Sequence, residues 1–126
     1  MRVLLLLIIS FSLNGCSTVK SWIPSFSDPN QSASIVNVRQ KVEQINCEQP
    51  QVPQIEAVAR EIRWFQLYSE SKGWRQQDVL RLVEPMSETT DAWVKRGEGS
   101  KTYCQLKKQV LQQQSARAAE AVLGRF

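Results

Sequence analysis

The stretch "SIVNVRQKVEQINCEQPQVPQIEAVAREIRWF", residues 34–65, decides the fold. Ile35, Val38, Val42 and Ile45 recur at intervals of three and four, and Arg39, Gln40, Lys41, Glu43 and Gln44 fill the positions between them. That is the period of an α-helix with one apolar face. The helix is expected to run from Ser34 to near Cys47, because Pro50 and Pro53 lack a backbone N–H and disfavour helical backbone at the residues before them. A second helix follows with Pro53 in its first turn, and Ile55, Val58, Ala59, Ile62 and Phe65 form its apolar stripe. Early Glu56 and Glu61 and late Lys72 complement the helix dipole, and Gly73 is placed to close the helix.

Downstream, Asp78 is read as the cap of a short helix carrying Val79, Leu80, Leu82 and Val83, which Pro85 breaks or kinks. Another helical piece spans Ser87 to Arg96 and ends at Gly97 and Gly99. The last helix starts near Ser100, carries Tyr103, Leu106, Val110, Leu111, Ala118, Ala121 and Val122, and stops at Gly124. No stretch alternates as strands do. The expected fold is all-α, a small four-helix bundle over residues 34–126.

The remaining residues address the chain to a compartment. After Arg2, an apolar run of about a dozen residues falls short of the ~20 that a membrane-spanning helix needs. It reads as the core of a signal peptide. The run ends in Leu13-Asn14-Gly15-Cys16, which resembles the lipobox of bacterial lipoproteins. The resemblance implies removal of residues 1–15, a diacylglyceryl group and an N-acyl chain on Cys16, and no other cofactor. Two or three acyl chains make such attachment stable. Ser17 stands where an Asp would retain a lipoprotein at the inner membrane, so the implied destination, through the lipoprotein sorting machinery, is the periplasmic face of the outer membrane. Residues 16–33, rich in serine and carrying Pro24 and Pro29, read as a tether. Its Trp22, Ile23 and Phe26 are assigned either to the lipid interface or to the domain.

Composition narrows the chemistry. The full chain of 126 residues has a formal charge of +4, with its signs interspersed, too mild a balance to point to nucleic acid. No histidine occurs, which excludes histidine-based triads and imidazole metal ligands. No nucleophile stands beside an activating base, so neither an enzyme nor a small-molecule substrate is expected. With Cys16 assigned to lipid, Cys47 and Cys104 remain. In an oxidising compartment an even remainder reads as a disulfide, the alternatives being two buried thiols and, less favoured, a two-cysteine metal site without histidine partners.

Taken together, the lipobox at Cys16, the early helix ending at Cys47, the proline soon after it, Gly73-Trp74 at a helix end and Cys104 behind "GEGSKTYC" resemble the type II secretion pilotins. The likeness covers roughly residues 34–115, and it departs where Leu106 stands near the place of a phenylalanine. It implies an outer-membrane lipoprotein that binds the C-terminal segment of a secretin subunit, which folds into a helix in an apolar groove. Trp64, Leu67, Trp74, Leu82, Trp93 and Val94 are the candidate groove residues, each alternatively a core residue. Lys95, Arg96 and Lys101 are candidates for steering an acidic segment. Competing functions are inhibition of an envelope enzyme, exclusion of phage, lysis, or service as an accessory subunit of another envelope complex.

Overall fold

A computed structural model describes residues 27–125. Four helices follow one another: α1 (Pro29–Glu43), α2 (Gln51–Ser71), α3 (Gln77–Arg96) and α4 (Lys101–Leu123), with a single 3₁₀ turn, Trp74–Gln76, between α2 and α3. Each helix packs on the ones before and after it, and α4 returns to pack on α1, closing a four-helix bundle. No strand occurs among the described residues.

The predicted stripes face inward. Ile35, Val38, Val42 and Ile45, then Ile55, Val58, Ile62 and Phe65, are buried and meet Val79, Val83, Met86 and Trp93 of α3 and Leu111, Ala118, Ala119 and Val122 of α4. Each large aliphatic or aromatic side chain so buried contributes about 1.5–3 kcal/mol. Cys47 and Cys104 are joined, with Cα atoms 5.8 Å apart. Cys104 is fully buried in the first turn of α4, while Cys47 lies in the α1–α2 connection four residues beyond the helix. The bond fastens that connection to α4.

Three local expectations are corrected. Helix α1 begins at Pro29, inside the segment read as tether, because Pro29 occupies the first helical position and Asp28 caps it. The Asp28 carboxylate accepts from the backbone N–H groups of Asn30 (2.8 Å) and Gln31 (3.0 Å). Helix α3 is continuous through Pro85, since the exposed ring removes one helical hydrogen bond while Val83 and Met86 on the inner face hold the turn in place. Leu106 and Val110 face outward instead of joining the core of α4.

Side chains from distant segments finish the helix ends. Helix α2 has no cap of its own; the Glu98 carboxylate, from the α3–α4 turn, accepts from the N–H groups of Gln51 and Val52 at 2.9–3.0 Å. Those N–H donors hold the Glu98 carboxyl below its usual range, against a smaller opposing effect of desolvation. Gln51 is buried and central to the same corner. Its Oε1 accepts from the Trp93 indole N–H and the Gly99 N–H, both at 3.2 Å, and its Nε2 donates to the Gly99 carbonyl at 2.9 Å. Gly73 and Gly97 take φ of +106° and +85°, a region that disfavours any other residue, and so allow the two turns flanking α3.

At the opposite end, Asp28 also receives hydrogen bonds from the Tyr68 hydroxyl and the Lys72 ammonium. Burial alone would raise the Asp28 carboxyl; the Lys72 ammonium, the two N–H donors and Tyr68 outweigh it and leave the group below its ordinary value. Lys72 is held above its ordinary value chiefly by the same hydrogen bond.

Candidate functional site

Along the seam between α2 and α3 runs an open groove of about 660 Å³. It arises where two successive helices carry small residues at facing positions. Ala59 of α2 and Ser87 of α3 leave the seam unfilled beside the core rows formed by Ile55, Val58 and Ile62 and by Val83, Met86 and Thr90. Ala59 and Val94 give the groove its apolar floor, and Val94 packs against the core from there. Longer side chains stand as its walls, with Glu56, Arg60, Arg63 and Gln66 on one side and Asp91 and Lys95 on the other.

The walls have a charge pattern. Three cations and two carboxylates line the groove, and among the described residues none of the five belongs to an ion pair. Because α2 and α3 run antiparallel, Glu56 and Lys95 line one end of the groove, and Arg63 and Gln66 line the other. That end of the lining is cationic. A volume in the several-hundred Å³ range with an apolar floor and few fixed charges suits burial of side chains from a guest.

The six residues nominated from the sequence do not form one surface. Val94 lines the groove. Trp93 does not: it is fully buried, 0 % exposed, with its indole satisfied by Gln51 and its ring edge-on to Tyr103 at 5.9 Å. Trp64 is half exposed, stacks on Tyr68 at 5.0 Å and borders a smaller cleft of about 330 Å³ between α1 and α2, with Asn30, Ser34 and Glu61. Leu67 is exposed on α2, and Leu82 is exposed on α3 without lining the groove. Trp74, 63 % exposed, sits in the turn at the end of the bundle.

The three basic residues separate similarly. Lys95 stands in the groove wall. Arg96 lies over the Tyr103 ring at 3.9 Å, and Lys101 pairs with Glu48. Sequence reasoning placed Ala59 in the core stripe instead of the groove and missed Arg60 and Arg63, whose signal was a small residue inside a cationic row at helical spacing. It also missed the exposed Leu106–Val110 pair, visible as two apolar residues four apart in a polar helix.

Cys16, Ser17, Trp22, Ile23 and Phe26 lie outside the described residues. Among the described residues no three histidine, cysteine or carboxylate side chains gather as they would around a metal ion, and no helix is long and apolar enough to cross a membrane. No family model, no curated protein and no solved structure matches the chain.

Proposed function

We propose that this protein is a pilotin, a lipid-anchored helical bundle that captures the C-terminal segment of a secretin subunit and carries it to the outer membrane for assembly of a type II secretion system. The observation that carries this reading is the α2–α3 groove on a disulfide-bonded four-helix bundle, joined to a chain whose Cys16 ends a lipobox-like stretch. Its role is binding and delivery, without catalysis. A guest segment that folds on docking loses conformational entropy, and desolvated contacts must exceed that cost. Ala59 and Val94 supply apolar contact, and the aliphatic stems of Arg60, Arg63 and Lys95 extend it while their charged heads stay in water.

The groove carries one more cation than carboxylates, and its excess lies at the Arg63 end. The guest helix therefore presents an apolar face to the seam and a carboxylate to Arg63. A synthetic peptide of the secretin's C-terminal segment, titrated against the acylated full-length protein in detergent, tests the reading. Val94→Asp and Arg63→Glu are each expected to weaken binding by at least about tenfold, an effect of 1.4 kcal/mol. Arg63 is exposed, so its variant is expected to fold, which circular dichroism checks. Peptide affinity unchanged by both substitutions would remove the groove from the account.

A further inference from the structure

The pole of the bundle that carries Trp74 has no role in the groove. Four segments meet there and are fastened together. The Asp28 carboxylate at the start of α1 accepts from Tyr68 and Lys72 at the end of α2. Gln31 Nε2 donates to Ser69 Oγ at 2.9 Å and to Gln76 Oε1 at 2.8 Å, tying α1 to the α2–α3 turn. Arg125, just past α4, pairs with Asp78 of α3. The point at which the chain enters the bundle is thereby fixed beside the turn that displays Trp74.

Trp74 has no structural occupation. Among the described residues it is the most exposed of the large apolar side chains and its indole N–H makes no hydrogen bond, and it stands outside the core cluster. Arg75 lies over its ring at 5.5 Å, and Leu123, also half exposed, ends α4 at the same pole. Tryptophan, apolar with one polar N–H, is enriched where protein meets lipid head groups, and a guanidinium beside it suits an anionic lipid surface.

Chain length selects the partner. Eleven residue steps separate Cys16 from Ser27, the first described residue. Fully extended they reach roughly 40 Å. Helix α4, with 23 residues, sets the bundle's long axis at roughly 35 Å. With the Trp74 pole at the membrane, Cys16 lies well within that reach; to bring the opposite pole there, the same steps would have to span the whole length of the bundle, nearly all of the reach. That opposite pole carries Lys95 and Arg96 at the end of α3 and Lys101 at the start of α4.

We propose that the Trp74 pole, with Arg75 and Leu123, rests on the lipid surface that holds the acylated Cys16, so that the domain sits upright with the long axis of the α2–α3 groove running away from the membrane. This orientation rests on the reading of Cys16 as lipidated, and not on the identity of the guest in the groove.

The test uses the acylated full-length product purified from bacterial membranes, with Trp22→Phe to silence the segment next to the anchor. It is reconstituted into vesicles of phosphatidylethanolamine with about one-quarter phosphatidylglycerol, with or without lipid brominated near the head group. Three tryptophans remain, and brominated lipid is expected to quench about one-third of the emission. Quenching disappears in Trp74→Phe and persists in Trp64→Phe. Quenching that survives Trp74→Phe, or emission that is not quenched at all, overturns the orientation and leaves Trp74 to a protein partner. Intact mass of the same sample separates the premises: an unacylated Cys16 removes the tether and the proposal together, whereas an acylated protein without Trp74-dependent quenching refutes the proposal alone.

Discussion

Replacing both Cys47 and Cys104 by alanine opens a loop of 57 residue steps that the disulfide closes in the unfolded chain. In the chain-entropy account, closure over that length stabilises the folded state by about 4 kcal/mol. Total stability for a domain of this kind is about 5–15 kcal/mol, so the bond is a large share of it. Near 100 residues, each kcal/mol moves the melting temperature by about 4–8 °C, giving an expected loss of roughly 15–30 °C. The α1–α2 connection depends on the bond locally as well, since few other contacts hold it to α4: the Lys108 ammonium on the Ile45 carbonyl at 2.9 Å and the exposed Lys101–Glu48 pair. Thermal unfolding followed by far-UV circular dichroism, with oxidised wild type, reduced wild type and the double variant side by side, measures the effect. Reduced wild type and the double variant should melt together, well below the oxidised protein. Coincident melting of all three would refute the assignment of a covalent staple.

Asp28→Ala should destabilise the fold near neutral pH by about 1 kcal/mol through the lost helix cap, with a smaller share from partly exposed Lys72. Because the folded Asp28 carboxyl lies below its ordinary 3.8, its contribution is present above that value and is lost as pH falls through the folded pKa. Chemical denaturation at several pH values should therefore show the gap between variant and wild type closing in acid; a gap independent of pH would contradict the carboxylate's role. Gln51→Ala leaves the buried Trp93 indole N–H and the Gly99 N–H and carbonyl without their partner, and should cost about 1–3 kcal/mol in a urea titration. A loss within error would show that the corner does not depend on Gln51. Pro85→Ala restores a helical N–H at an exposed position and should raise stability by up to about 3 kcal/mol. A lower urea midpoint would mean that Pro85 fits α3 better than the helix rule allows.

The inward stripes were legible because periodicity over 34–65 reports directly on which side chains share a face, and the two turn glycines because positive φ favours that residue. The ends of elements were harder to read. Pro29 looked like a breaker; only its pairing with Asp28, a cap followed by proline, marks it as the start of α1. Pro85 ended a helix on local rules, yet packing of Val83 and Met86 on either side of it outweighs one missing hydrogen bond. The cap on α2 comes from Glu98, more than forty residues away, and no local pattern announces such a partner.

The groove was the least legible feature. Hydrophobic size as the mark of a binding surface selects Trp93, whose polar atom is satisfied internally by Gln51. A groove between packed helices is made by what is missing: Ala59 reads as one more member of the apolar stripe, and Ser87 carries no hydrophobic signal. Large exposed groups, by contrast, dispersed to Trp64 on the α1–α2 side, Leu82 on α3 and Trp74 at the pole. Only folding decides which of them share a surface.

Site-specific photocrosslinking in living cells bears on the central claim most directly. A photoreactive amino acid at Gln66, in the wall of the α2–α3 groove, is compared with one at Leu106, exposed on α4 and away from that groove. A covalent adduct with the C-terminal segment of the secretin from position 66, and none from position 106, is the predicted result. No adduct at 66, or an equal one from 106, would contradict capture in the groove.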